Sequence, residues 1–102
     1  MDRNIINGIT AVKRTFPDAQ FFVFGSEARS HSSRESDLDI CAIFPKLTDD
    51  AFTLAAEITS EIRKYLDKAL DVVVFDELKF KQRSKEPWTL EYVIQAEGIL
   101  IT

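Results

Sequence analysis

Apolar side chains recur at helical spacing from the start of the chain. Ile5, Ile6, Ile9, Val12 and Phe16 form one stripe, and Phe16-Pro17-Asp18 breaks it, so an amphipathic helix is predicted over residues 3–16. Gly8 lies inside it at a small cost in helix propensity. The period then shortens. Gln20 to Phe24 is a run of aromatic and β-branched residues ending at Gly25, which reads as a short buried strand. After a small polar stretch from Ser26 to Ser33, Asp37 to Phe44 alternates, with Asp37, Asp39 and Cys41 on one face and Leu38, Ile40 and Ala42 on the other.

Pro45 closes this second strand, and Thr48 is placed to cap a helix with apolar positions at Ala51, Leu54, Ala55, Ile58, Ile62 and Leu66. Glu57, Glu61 and Lys64 form its wet side. Leu70 to Phe75 predicts a third strand, in which Asp71, Val73 and Phe75 share a face opposite Val72 and Val74. Lys79, Lys81, Arg83 and Lys85 read as a solvated basic stretch. Pro87 suits the first turn of a helix running to about Gln95, and Gly98 ends it. Ile99 to Ile101 is left as an edge strand or an apolar tail.

The expected fold class is α/β (α+β): a short mixed sheet, helices packed on one face, and acids on the other. Leu38, Ile40, Val72 and Val74 should face the helices. A length of 102 residues suits one domain, residues 1–102. With 45% apolar and 29% charged residues the chain is not of the disordered class. The lone Cys41 excludes an internal disulfide and a thiolate zinc site. No apolar run approaches the ~20 residues that cross a bilayer, and Met1-Asp2-Arg3-Asn4 lacks a secretory core, so a cytoplasmic protein is expected, with no membrane partner. A net charge of −4 argues against nucleic acid as a direct partner.

The chemistry concentrates in Gly25-Ser26-Glu27-Ala28-Arg29-Ser30 and Ser36-Asp37-Leu38-Asp39-Ile40. A strand that turns at a glycine into a short helix brings backbone N–H groups close to an anion, since no Cβ obstructs the approach and a helix N-terminus is electropositive. Ser26 adds a hydroxyl donor. Asp37 and Asp39, two apart on a strand, project from one face and repel each other unless a cation lies between them. Hard carboxylate oxygens suit Mg²⁺, and a pair of such ions stabilises both the attacking and the leaving oxygen of an in-line displacement. Asp71, in phase on a following strand, is placed to join them. His31 reads as a solvated loop residue and Cys41 as a small buried side chain.

This order of residues resembles the nucleotidyltransferase superfamily built on the DNA polymerase β palm, and most closely its minimal nucleotidyltransferase (MNT) branch. The shared pattern is Gly-Ser, a short helix with Ala-Arg, a strand with Asp-x-Asp, and a third acid on a later strand, and it covers nearly the whole chain. The resemblance implies that Gly25 and Ser26 hold the triphosphate of a nucleoside triphosphate, ATP above all. It implies that Asp37 and Asp39 bind two Mg²⁺ ions, that Asp71 binds one of them and helps deprotonate the acceptor hydroxyl, and that Arg29 contacts phosphate or the polar loop. Ser30 departs from the pattern, which has glycine after the arginine.

Family members of this size often pair with a helical HEPN protein in toxin–antitoxin systems. There the nucleotidyltransferase is the antitoxin and modifies a tyrosine of its partner with AMP. The expectation is therefore a protein adenylyltransferase with a HEPN-type partner. Two other readings stay open: a catalytically quiet antitoxin that acts by binding alone, and a nucleotidyltransferase acting on a small aminoglycoside-like hydroxyl compound.

Overall fold

A computed structural model describes residues 1–31 and 36–102; the Ser33 end of the polar loop lies outside the described residues. The order is α1 (Arg3–Thr15), β1 (Gln20–Phe24), β2 (Leu38–Phe44), α2 (Ala51–Ile62), β3 (Leu70–Asp76), α3 (Glu77–Arg83), α4 (Leu90–Glu97) and β4 (Ile99–Ile101). The four strands form one mixed sheet in the order β3-β2-β1-β4. β1 is antiparallel to both β2 and β4, while β2 and β3 are parallel. Parallel neighbours need a crossover, and α2 supplies it.

The alternation in the strands divides the apolar residues between the two faces of the sheet. On one face Phe21, Val23, Leu38, Ile40 and Ala42 pack with Ile5, Ile9 and Val12 of α1 and Leu54, Ile58 and Ile62 of α2. Val72 and Val74 join this cluster, as the strand phase predicts. Phe16 also packs here, meeting Phe44 edge-on at 5.5 Å between ring centroids. The other face is not left to the acids alone. Phe24, Cys41 and Ile43 form a second, smaller cluster with Phe80 of α3 and Ile94 of α4.

Several boundaries differ from the sequence expectation, each for a local reason. Asp50, not Thr48, caps α2: its carboxylate accepts from the Thr53 backbone N–H at 2.9 Å and from the Thr53 hydroxyl at 2.8 Å. The helix ends at Ile62, and Leu66 packs on the core from beyond it. The basic stretch belongs to an unforeseen helix, α3, because Asp76 ends β3 and caps it, accepting from Leu78 N–H at 2.9 Å and Lys79 N–H at 3.2 Å. Lys79, Lys81 and Lys85 remain exposed on it and beyond it.

The last helix begins at Leu90 and not at Pro87. Thr89 is the buried cap: its hydroxyl accepts from Tyr92 N–H at 3.1 Å and lies 2.8 Å from the Arg83 carbonyl and 2.9 Å from that of Glu86. Glu91, also buried, takes the Arg83 Nε at 2.6 Å, so α3 and α4 are tied at two points. Gly98 ends α4 as expected, and β4 is the edge strand beside β1. No helix among the described residues is long and apolar enough to cross a membrane.

Candidate active site

Strand pairing places the acids. Asp39 lies directly beside Asp71 in the parallel β2–β3 register, so the two carboxylates leave the same face of the sheet. Asp37 precedes Asp39 by two residues, just before β2 begins, and is exposed. On the other flank of β2, Phe24 is the register partner of Asp39, which brings the end of β1 to the same place.

There the chain turns at Gly25 with φ +70°, a left-handed conformation suited to glycine. A Cβ on Gly25 would overlap the Asp39 Oδ2 and lie 3.1 Å from its Cγ. The glycine therefore lets the backbone close down on the carboxylate. Beyond it, residues 25–30 form a hydrogen-bonded turn and not the expected helix. Arg29 N–H donates to the Gly25 carbonyl at 3.2 Å, Ser30 N–H to Glu27 at 3.2 Å, and His31 N–H to Ser26 at 2.9 Å. This turn sets Gly25, Ser26 and Arg29 around one edge of the acid face.

Electrostatics report the same grouping. The Asp39 carboxyl is held above its ordinary pKa, first by burial, then by the negative charges of Asp71 and Asp37, and the Arg29 guanidinium opposes the shift. Arg29 is itself steadied by Glu97 at the end of α4, with Nη1 to Oε2 at 3.3 Å. Nothing in the local sequence points to Glu97, which lies 68 residues away from its partner. Cys41 lies one strand pair further along the same face but is buried, its thiol pushed up to about 12 by desolvation and by Glu91, so it stays protonated and unreactive. His31 is exposed, as expected of a loop residue.

The donor set fits a hard divalent cation: carboxylate oxygens grouped on one face, with no thiol or imidazole among them. The carboxylates are not drawn into a finished ligand cage. Among the described residues no three His, Cys, Asp or Glu side chains stand close enough to hold a metal ion. Asp71 is an exposed residue of the edge strand β3, its face fixed by the pairing with Asp39, whereas Asp37 lies outside the ladder and is exposed.

Two measurements follow from this geometry. A carboxyl whose folded-state pKa is raised binds its proton more tightly in the native state. Its ionisation therefore costs nothing well below the ordinary value of 3.8 and destabilises the fold as pH rises through the raised value. In chelator, Asp39→Asn should melt higher than the wild type at pH 7, with the gap closing as pH falls towards 4; Mg²⁺ or Mn²⁺ should raise the wild-type Tm and leave the variant's nearly unchanged. An equal metal response in both proteins would place the ion elsewhere.

The second measurement concerns Ser30, whose φ of +60° is the left-handed conformation that a glycine adopts without strain. Ser30→Gly should stabilise the fold by about 0.5–1 kcal/mol in denaturant melts, after the added freedom of glycine in the unfolded chain is deducted. A loss of stability would mean that the serine side chain makes a contact worth more than the strain.

Comparison with known proteins bears on the family and the fold. The family described as nucleotidyltransferase domain matches residues 5–100. No curated protein sequence matches. Among solved structures, one described as a toxin–antitoxin with AMP-PNP is similar at TM-score 0.68 and 20% identity, over 95% of this chain and 72% of that one. A protein of Sulfolobus solfataricus, taken to be a nucleotidyltransferase, gives TM-score 0.55 and 22% identity over 96% and 76% of the two chains. A mutant of the toxin–antitoxin pair MntA-HpeT, with two aspartates changed to glutamate, gives 0.65 and 19% over 95% and 71%. At such identities the likeness is one of fold, the mixed sheet and four helices of polymerase β-like nucleotidyltransferases. With the family match spanning nearly its whole length, the chain belongs to the nucleotidyltransferase domain family.

Proposed function

We propose that the protein moves AMP from ATP onto a hydroxyl of a protein partner, and that it is the antitoxin of a toxin–antitoxin pair whose toxin is a helical HEPN-type protein. The observation that carries the reading is the meeting of Asp39, Asp71 and the Gly25 turn at one point of the sheet. The acceptor class is supported by the toxin–antitoxin proteins among the similar folds, one of them described with AMP-PNP.

In this reading Gly25 and Ser26 bind the triphosphate through backbone N–H groups and the Ser26 hydroxyl, and Arg29 lies beside the same charge. Asp37, Asp39 and Asp71 would hold two Mg²⁺ ions, which when bound neutralise the charge that builds between the α-phosphate and the departing pyrophosphate. Asp71 accepts the proton of the acceptor hydroxyl as its oxygen bonds to the α-phosphorus, and pyrophosphate leaves with the bonding pair. Positioning and charge neutralisation do most of the work in such transfers, so an acceptor held in line completes the site.

The test is incubation with Mg²⁺, ATP labelled at the α-phosphate and the cognate helical protein. The label should pass to that partner, on a tyrosine, with little turnover by the antitoxin alone. One observation favours a second reading, an antitoxin that acts by binding: the strained Ser30 where the family pattern has glycine. Neutralisation of the partner by an Asp37→Ala, Asp39→Ala double mutant, with no label ever transferred, would establish that reading and remove the enzymatic one.

A further inference from the structure

Glu97 is the last residue of α4, one turn beyond Ile94, which is fully buried in the second core cluster. The chain then enters β4, which pairs antiparallel with β1 and sets Ile99 opposite Val23. Carried two residues further, that register puts Glu97 beside Gly25. Asp39 flanks the same end of β1 from the other side, as the partner of Phe24. Arg29, on the turn that Gly25 opens, therefore stands between two sources of negative charge. Its Nη1 donates to the Glu97 Oε2 at 3.3 Å, and its charge also reaches the Asp39 carboxyl. A carboxylate is the wrong charge for the end of a helix, where the exposed carbonyls favour a cation. The last turn of α4 has no basic residue. The helix gains nothing from Glu97; Arg29 does.

We propose, on the strength of the triphosphate-binding role given to the Gly25 turn, that Glu97 is a positioning residue for the nucleotide. It holds the Arg29 guanidinium over that turn, on the phosphate side and away from the Asp39 and Asp71 carboxylates. Without it a long side chain of high rotamer freedom is drawn to the nearest remaining negative charge, that of the acids. There it competes with the divalent ion for carboxylate oxygens and is lost to the phosphates. The contact with Glu97 uses Nη1 alone, and among the described residues Nε and Nη2 make no other hydrogen bond, so both can donate to phosphate oxygens. Half of each side chain is open to solvent, which sets a modest size for the effect.

The experiment is calorimetric titration of ATP into the full chain with Mg²⁺, for the wild type, Glu97→Ala, Glu97→Gln, Arg29→Ala and the Arg29→Ala, Glu97→Ala double variant. Glu97→Ala should weaken ATP about three- to fivefold, the scale of an exposed ion pair. Glu97→Gln, which keeps an acceptor oxygen, should fall between it and the wild type. In the Arg29→Ala background, loss of Glu97 should no longer weaken binding. The Tm of Glu97→Ala should equal or exceed that of the wild type, since the helix end is relieved of a carboxylate; a merely structural residue would lower it. In label transfer the loss should fall on KM for ATP more than on kcat. A wild type that binds ATP while Glu97→Ala binds it equally well or better overturns the proposal and leaves the nucleotide reading standing. Equal weakening with and without Arg29 also overturns it. A wild type that binds no ATP in Mg²⁺ removes the nucleotide reading, and this proposal with it.

Discussion

Asp39→Ala is expected to lower nucleotide transfer by about a thousandfold or more, the loss of several kcal/mol of transition-state stabilisation. Of the three acids it is the central one: it has Asp71 beside it on β3, Asp37 two residues before it, and the Gly25 backbone closed on its carboxylate. In the proposed site an ion shared between the acids would use it. The same substitution should not unfold the protein, because Asp39 faces away from the core of Ile40 and Leu38, and because its removal relieves the repulsion that raises its own pKa. Rates of label transfer, set beside circular dichroism and the Tm of the same samples, separate the two effects. A variant that keeps within tenfold of the wild-type rate, fully folded, would sink the carboxylate-metal reading. Asp71→Asn offers a second arm, losing proton acceptance while keeping a neutral oxygen ligand.

The sequence made β1 and the two faces of β2 and β3 legible because strand alternation is a strict period of two, and a one-residue slip would put Asp39 in the core and Ile40 in water. It also singled out Gly25, Asp37, Asp39 and Asp71 for the proposed chemistry, since they lie at or near the ends of strands that the apolar pattern marks. What it did not show depends on contacts distant in sequence or on competition between caps. Thr48 and Asp50 are both good caps by type, and only the Asp50 side chain meets the first free N–H groups of α2. The helix α3 was hidden by its charges: one buried residue, Phe80, anchors it, too few for a periodic signal. The Glu97–Arg29 pair needs β4 to return beside β1, which no local pattern requires.

The turn at Gly25 is where fold and chemistry share one constraint, and Gly25→Ala should damage both. Its φ of +70° already disfavours any side chain by about 1–3 kcal/mol. The added methyl would also occupy the place of Asp39 Oδ2, so either the turn lifts from the sheet or the carboxylate swings away from Asp71. We expect a loss of about 2–3 kcal/mol in denaturant melts, with transfer falling by about a hundredfold or more in the fraction that remains folded, as misplacement of reacting groups by an ångström does. The two costs can be separated by a double-mutant cycle. In Gly25→Ala, Asp39→Ala the methyl no longer meets a carboxylate, so the double variant should be more stable than the sum of the two single changes predicts, with the backbone strain left as the cost of the alanine. Strict additivity would mean that the methyl and the Asp39 carboxylate never compete for the same space, and that the glycine serves the conformation of the turn without shaping the site.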